Sequence, residues 1–260
     1  MNRTRLLLLA TAAAGCAGTG DEGLVIRNNL APSGTSCSIT ASRSAPFQAR
    51  GSLSTSSPVP YVLTPLIESR ITAPAGQENS RTVSLMGARI DLELGPITVE
   101  DAQGGLVFSC AAEGASACFG DAERAALADA GTTKFRSLFS APLAPNGGLS
   151  SASFDLVPTA AIREILRKAG TVPAGARLHA QVVATATVYG NLNGSEVEGP
   201  PYVYPVTVCN DCVVNVVGAC ATTPATFMAR PGNPCNPYQD GVVDCCSNGG
   251  ALVCPAVGML

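Results

Sequence analysis

The feature that most constrains this sequence is its cysteine content. The chain has 11 cysteines, and most of them crowd into the segment from Cys209 to Cys254. Cysteines at such density serve as zinc ligands, redox pairs or disulfide staples. Cys209 and Cys212 have the spacing of half a zinc ribbon, but no second C-x-x-C follows, and His179 is the chain's single histidine. No helix pattern follows this C-x-x-C, as a thioredoxin-like pair would require. Structural disulfide bonds are therefore the role that best fits these cysteines, provided that the chain enters an oxidising compartment.

The start of the chain has the pattern of an export signal. Arg3 and Arg5 precede a short apolar run, Leu6 to Ala14, and no later segment is a better candidate. The run is too short to cross a bilayer as a helix, which takes about 20 residues. The sequence therefore predicts export rather than retention by a transmembrane helix.

The end of this run, AAGC at residues 13–16, resembles the lipobox of bacterial lipoproteins. The resemblance is confined to residues 1–16, and it departs from the family at Ala13, where a leucine is usual. It implies a lipoprotein signal peptide over residues 1–15 and lipidation of Cys16. The alternative is a simple secretory signal that is cut after Ala14.

The same resemblance implies a location. Residues 16–23 become a lipidated tether, and the acyl chains hold the protein at a membrane. Because Ala17 rather than aspartate follows the cysteine, the resemblance implies the outer membrane of the cell envelope.

Cysteine parity supports this interpretation. An odd cysteine in an exported protein is a reactive thiol or is bonded to another molecule. Lipidation of Cys16 uses one cysteine and leaves an even set for disulfides. The set comprises Cys37, Cys110, Cys118, Cys209, Cys212, Cys220, Cys235, Cys245, Cys246 and Cys254.

Parity also predicts a disulfide between the two parts of the chain. Only Cys37, Cys110 and Cys118 of this set precede the cysteine-rich tail, so at least one bond has to reach into the tail. Cys110 and Cys118 enclose a short loop of small residues, which a disulfide can close. Cys37 is then the residue bonded to the tail, and its partner there is left open.

Residues 24–208 have the pattern of a mainly β, antiparallel sandwich-like domain. ARIDLELG (88–95) and LHAQVVATATVYG (178–190) alternate apolar with polar residues, which favours strands with one buried and one wet face. The step Asn193-Gly194 predicts a hairpin that returns through YVYPVTV. Pro205 in the return strand favours a sheet edge, because proline has no N–H for a ladder.

One or two short helices interrupt the strands. VPTAAIREILRKAG predicts a helix that starts near Pro158, ends at Gly170 and buries Ile162 and Ile165. GDAERAALADAG predicts a weaker helix, with Asp121 as its cap. Residues 209–260, rich in proline and cysteine, form a loop-rich, disulfide-bonded module that docks on the sheet or stands as a small knob.

Composition and motifs exclude several activities. The formal net charge is −3, and only 13 % of residues are charged, which argues against a nucleic-acid partner. No G-x-S-x-G elbow or phosphate-binding glycine loop is present, and His179 falls on the polar face of a strand. Two carboxylate pairs, Asp91 with Glu93 and Glu196 with Glu198, have the residue types of a glycosidase but the spacing of a charged outer strand face.

Two further patterns admit a ligand or a purely structural role. Asn236, Asp240, Asp244 and Asn248 offer oxygens that suit Ca²⁺, but their spacing is not that of an EF-hand and favours turns. Tyr61, among three prolines, has the pattern either of an exposed ligand contact or of a proline-guarded edge strand.

These observations predict a lipid-anchored envelope lipoprotein with a non-catalytic binding or structural role. It needs no cofactor, and its partner is an envelope protein or a glycan. The alternatives are an envelope hydrolase that uses a carboxylate pair and a metal-binding cysteine-rich module.

Overall fold

The computed structural model describes residues 23–32, 37–57, 59–210, 212–220, 230, 232–249 and 251–254. The chain is mainly β with two α-helices, as predicted. The strands are β1 (Leu24–Leu30), β2 (Phe47–Gln48), β3 (Gly51–Ser54), β4 (Tyr61–Leu63), β5 (Pro65–Ser69), β6 (Val83–Glu100), β7 (Leu106–Cys110), β8 (Lys134–Leu143), β9 (Leu149–Ser151), β10 (Phe154–Val157), β11 (Arg177–Leu192), β12 (Ser195–Glu198), β13 (Tyr202–Cys209), β14 (Val214–Ala219), β15 (Val243–Asn248) and β16 (Ala251–Val253). The helices are α1 (Asp121–Asp129) and α2 (Thr159–Ala169).

The larger layer is a seven-stranded sheet built around the long strands β6 and β11. Its order is β3-β13-β11-β6-β7, with β12 beside β11 and β8 beside β6. The predicted alternation is confirmed in both long strands: Ile90, Leu92 and Leu94 are buried while Asp91 and Glu93 are exposed. In β11 every second residue from Leu178 to Val188 is buried. One face of this sheet thus contacts the core, and the other faces solvent.

The second layer consists of two short sheets, β2-β1-β5-β9 and β10-β4. They continue one another, because Thr64 alone separates β4 from β5, and its hydroxyl lies 3.0 Å from that of Ser153 between β9 and β10. Side chains of this layer, such as Ile67, join those of the large sheet in one hydrophobic cluster. The result is sandwich-like.

Two strand pairs are parallel, which the antiparallel prediction did not include. β13 pairs with β3, and β14 pairs with β15. In each pair the partners lie far apart in sequence, so no tight turn fixes their relative direction.

The hairpin after β11 forms at the predicted step. Asn193 and Gly194 have φ angles of 53° and 89°, the left-handed values that a type I′ turn needs. The return is interrupted, because β12 ends at Glu198 and β13 begins at Tyr202. β3 pairs with only Val206–Cys209 of β13, so the first half of β13, Tyr202–Pro205, is not covered by β3 and includes the proline.

Helix α2 matches its prediction: Pro158 is the N-cap, Gly170 is the C-cap, and Ile162 and Ile165 are buried. The prediction for α1 was wrong at its cap. Gly120 is the N-cap, and Asp121 is the first helical residue and makes no side-chain capping bond. No helix in the described part of the chain is long and apolar enough to span a membrane.

The C-terminal segment is less loop-rich than predicted. Strands β14, β15 and β16 form a three-stranded sheet, and disulfides join Cys220 to Cys246 and Cys245 to Cys254. Several disulfides of this kind indicate an oxidising environment such as an exported protein meets.

The segment docks on the sandwich through Tyr238–Asp240, which runs beside β3. Ser54 N–H donates to Tyr238 O at 2.8 Å, and Asp240 N–H donates to Ser52 O at 2.9 Å. The Asp240 carboxylate accepts the Ser52 N–H at 2.7 Å. The module therefore covers the outer edge of β3, which the sandwich itself leaves unpaired.

Candidate functional site

The solvent face of the large sheet carries a groove across β8, β6 and β11. Its volume is about 480 Å³, within the range of ligand sites, and it is open to solvent. Its polar lining comprises Arg89, Asp91, Lys134, Arg136, Thr185 and Thr187.

Strand register arranges these side chains in rows. The first row is Lys134, Asp91 and Thr185, and the second is Arg136, Arg89 and Thr187. The next row is Leu138, Gly87 and Tyr189. The Cβ atoms of directly opposite residues on one sheet face lie about 5 Å apart, so the side chains of each row are close neighbours.

The second row brings two arginines together. Arg89 and Arg136 are directly paired, an arrangement that is unfavourable for like charges unless something compensates it. Arg89 is compensated by β12: its Nη2 lies 2.5 Å from Glu196 Oε1, and its Nη1 pairs with Glu198. Arg136 has no carboxylate partner among the residues that the structure describes.

Tyr189 positions both guanidinium groups. The Cζ atoms of Arg89 and Arg136 lie 5.0 and 5.9 Å from the centre of its ring, within cation–π distance. The ring is only 5 % exposed. Gly87 makes room for it, because a Cβ there would lie 2.9 Å from the Tyr189 hydroxyl and 2.6 Å from the Ser137 carbonyl oxygen.

Both predicted carboxylate pairs lie on this face, and three of their members are ion-pair partners. Glu196 and Glu198 share Arg89, and Asp91 lies 3.1 Å from Lys134. A second cavity, of about 200 Å³, lies between β6 and α1 and reaches Asp91 and Glu93. Its arginine, Arg124, donates to backbone carbonyl oxygens of Ala112 and Phe119.

His179 is remote from both pairs. It lies opposite Thr98 and Cys209, whereas Glu93 lies opposite Val183, four residues further along β11. That separation is about 13 Å along a strand. The structure therefore does not assemble the histidine and the carboxylates into one site.

The possible calcium ligands do not converge. The Asp240 carboxylate accepts a hydrogen bond from the Tyr61 hydroxyl at 2.7 Å, while Asp244 forms an ion pair with Arg230 at 2.7 Å. Arg230 lowers the pKa of Asp244 through hydrogen bonds. No cluster of three or more metal-binding side chains occurs within the described ranges.

The cysteines of the predicted set are joined in pairs. Cys110 pairs with Cys118, Cys37 pairs with Cys235, and the Cα atoms of these pairs are 5.0 and 4.6 Å apart. This is the arrangement that parity and loop length predict, with the open choice in the tail filled by Cys235. Cys209 and Cys212 are likewise paired with each other. Cys16 lies outside the described residues.

Of the two roles considered for Tyr61, the edge strand is confirmed, because β4 pairs with β10 in a two-stranded sheet, and the exposed ligand contact is wrong. Tyr61 is fully buried, and its hydroxyl lies 3.0 Å from that of Tyr204 and donates to Asp240. Asn29 donates to both phenols. Burial raises the pKa of Tyr61 and of Asp240, and raises that of Tyr204 to about 12. The network joins both layers of the sandwich to the docked module.

Sequence reasoning also missed Arg136, which lines the groove, and Tyr189, whose ring lies against the two arginines. The only signal for them was their position on the wet face of strands whose partners were unknown.

The comparisons with known proteins add no relative to this picture. No model of a known protein family, no curated protein and no solved structure matches the chain.

Proposed function

We propose that the protein is a lipid-anchored lipoprotein of the cell envelope that binds a partner, without catalysis, through the groove across β8, β6 and β11. The observation that carries the binding role is the second row of the groove. Two arginines are stacked on one buried ring there, and one of them lacks a carboxylate partner within the described structure. Such a pre-positioned cation on an open face is suited to binding.

The carboxylate environments support a non-catalytic role. A glycosidase needs one carboxyl as proton donor and the other as nucleophile or base, both facing the substrate. Glu196 and Glu198 instead hold Arg89, and Asp91 holds Lys134. These carboxylates hold the cationic side chains in place on the solvent face of the large sheet.

The lipid anchor rests on the signal that ends at Cys16 and on cysteine parity. Labelled palmitate fed to cells that make the protein should enter the wild type and not the Cys16→Ser variant. Membrane fractionation should then recover the wild type with the outer membrane. Equal labelling of both proteins would contradict the anchor.

Binding is tested by a pull-down of envelope components on the purified protein. Leu138, 76 % exposed, adjoins the second row, so Leu138→Asp should abolish capture of a component that the wild type retains. Val107→Asp, at a 51 % exposed residue of β7, is the control and should retain it. Equal capture by the two variants would exclude the groove as the binding face.

The hydrolase alternative has one observation in its favour, the cavity that reaches Asp91 and Glu93. If this pair hydrolysed envelope glycans, Glu93→Gln would remove glycan release from isolated cell-wall material. The binding proposal predicts no release by either the wild type or the variant.

A further inference from the structure

We infer that the groove takes an acidic, extended segment of a protein partner, with one carboxylate of that segment bound to Arg136. This inference rests on the proposed binding function and names the chemistry of its ligand.

The guanidinium group of Arg136 is available to a ligand. Arg89, the other arginine of its row, uses its guanidinium on Glu196 and Glu198, and it also lies over Tyr189. Arg136 has the ring contact alone among the described residues. A guanidinium offers five N–H donors in a planar fork that matches a carboxylate. Arg136 is therefore held in place with its fork available.

Repulsion between the two paired arginines favours the binding of an anion. Arg89 and Arg136 face each other directly across two strands, so each raises the electrostatic energy of the other. A carboxylate that binds Arg136 relieves this repulsion in addition to making its own hydrogen bonds. The site thus favours an anion more than an isolated surface arginine would.

Carboxylates around the groove limit the ligand to few negative charges. Glu196 and Glu198 stand beside the second row, and Asp91 lies in the first. These carboxylates would repel a polyanion such as a nucleic acid or a heavily charged glycan. A single carboxylate, or a sparse series of them, is compatible with their presence.

The side chains beside Arg136 suit a peptide better than a sugar. Sugar binding commonly uses an exposed aromatic ring, but Tyr189 is only 5 % exposed beneath the arginines. Leu138, by contrast, is 76 % exposed and follows Arg136 by two residues on the same strand face. An extended peptide repeats its side chains at this same spacing of two residues, about 6.8 Å. A carboxylate and an apolar side chain on alternate outward positions therefore fit Arg136 and Leu138 together.

The test uses the purified full-length, disulfide-bonded protein and a short blocked peptide that repeats Glu-Ser-Val-Ser, so that glutamate and valine follow each other two residues apart on the same face of the extended chain. The control peptide has glutamine in place of glutamate. Isothermal titration should show tighter binding of the glutamate peptide, with a Kd that rises with salt. Arg136→Ala should weaken this binding by about tenfold or more, as the loss of a charge-assisted pair does. Arg136→Lys should restore only part of it, because lysine keeps the charge but lacks the fork.

Arg163→Ala is the matched control, since Arg163 is an exposed arginine on α2, away from the groove. It should bind as the wild type does, and unchanged thermal unfolding would show that each variant folds. Equal binding of both peptides, no binding at high peptide concentration, or equal loss in Arg136→Ala and Arg163→Ala would overturn the inference. Tighter binding of oligogalacturonate or of inorganic phosphate than of the glutamate peptide would overturn the peptide assignment. If capture of an envelope component depends on Leu138 but not on Arg136, the binding function stands and this inference fails.

Discussion

Gln239 satisfies both backbone groups of Val62 with its side-chain amide. Val62 N–H donates to Gln239 Oε1 at 2.8 Å, and Gln239 Nε2 donates to Val62 O at 2.7 Å. Its backbone meanwhile forms an antiparallel bridge with Leu53 of β3. One residue of the C-terminal module thus pairs with both layers of the sandwich and covers the free edge of β4.

Replacing Gln239 with alanine should loosen this edge. The substitution leaves the N–H and C=O of Val62 without their partners, and an unsatisfied buried polar group costs about 1–3 kcal/mol. Hydrogen exchange measured by mass spectrometry should become faster in peptides that contain residues 61–63 and 238–240. Gln103→Ala, in an exposed turn, should change neither region; unchanged exchange in Gln239→Ala would show that the amide does not hold the module.

Tyr61→Phe tests the buried network. The change removes a hydroxyl that contacts Asp240, Tyr204 and Asn29 inside the protein. We expect the free energy of unfolding to fall by about 1–3 kcal/mol, because buried partners remain without hydrogen bonds. Denaturant titration measures this. Tyr238→Phe is the control, since the Tyr238 hydroxyl has no partner in the described structure, and a similar loss there would refute the assigned role of Tyr61.

Glu68 should make stability depend on acid. Hydrogen bonds from Arg27 and Arg43 lower its pKa to about 2, from an ordinary value of 4.5. A carboxyl whose pKa is lower in the folded state contributes stability above its unfolded pKa, and loses it as the pH falls toward the folded value. The denaturant midpoint should therefore drop between pH 4.5 and 2.

Glu68→Gln should show a smaller drop over the same interval, and Glu113→Gln, at an exposed loop residue, should behave like the wild type. Some acid dependence should remain in Glu68→Gln, because Arg230 lowers the pKa of Asp244 in the same direction. Identical pH profiles for the wild type and Glu68→Gln would contradict the prediction.

The two disulfides formed by cysteines that precede the module should differ in their effect on stability. The Cys37–Cys235 bond spans 198 residues and the Cys110–Cys118 bond spans 8. In the chain-entropy description a longer loop gives greater stabilisation, within a range of about 2–5 kcal/mol. Replacing Cys37 and Cys235 together with serine should therefore lower the unfolding temperature more than replacing Cys110 and Cys118. The opposite order would mean that the long bond does not constrain the unfolded chain.

Local pattern predicted those parts of the fold that depend on local chemistry. The alternation in β6 and β11 specified their buried faces, and Pro158 and Gly170 specified the ends of α2. Parity specified that at least one disulfide reaches the tail, and the short loop between Cys110 and Cys118 left Cys37 as the residue that forms it. It could not select Cys235, since every cysteine of the tail satisfies the same count.

The groove and the buried network around Tyr61 could not be predicted in this way, because each depends on partners distant in sequence. Arg136 meets Arg89 only through the pairing of β8 with β6, and Tyr61 meets Tyr204 across 143 residues. The prolines around Tyr61 indicated an edge, and an edge is indeed present. The sequence around Tyr61 is typical of an exposed strand, but the C-terminal module covers this edge and the tyrosine is buried.

Peptide mapping under nonreducing conditions, on protein purified from the cell envelope, tests the central claim most directly. We predict an N-terminal peptide that begins at acylated Cys16, and a Cys37 peptide linked to Cys235. All cysteines beyond Cys16 should then be oxidised, which is the state expected of an exported, anchored protein whose module is fixed to its binding domain. An unmodified Cys16 together with a free Cys37, or a Cys37 peptide linked to Cys110 or Cys118, would contradict it.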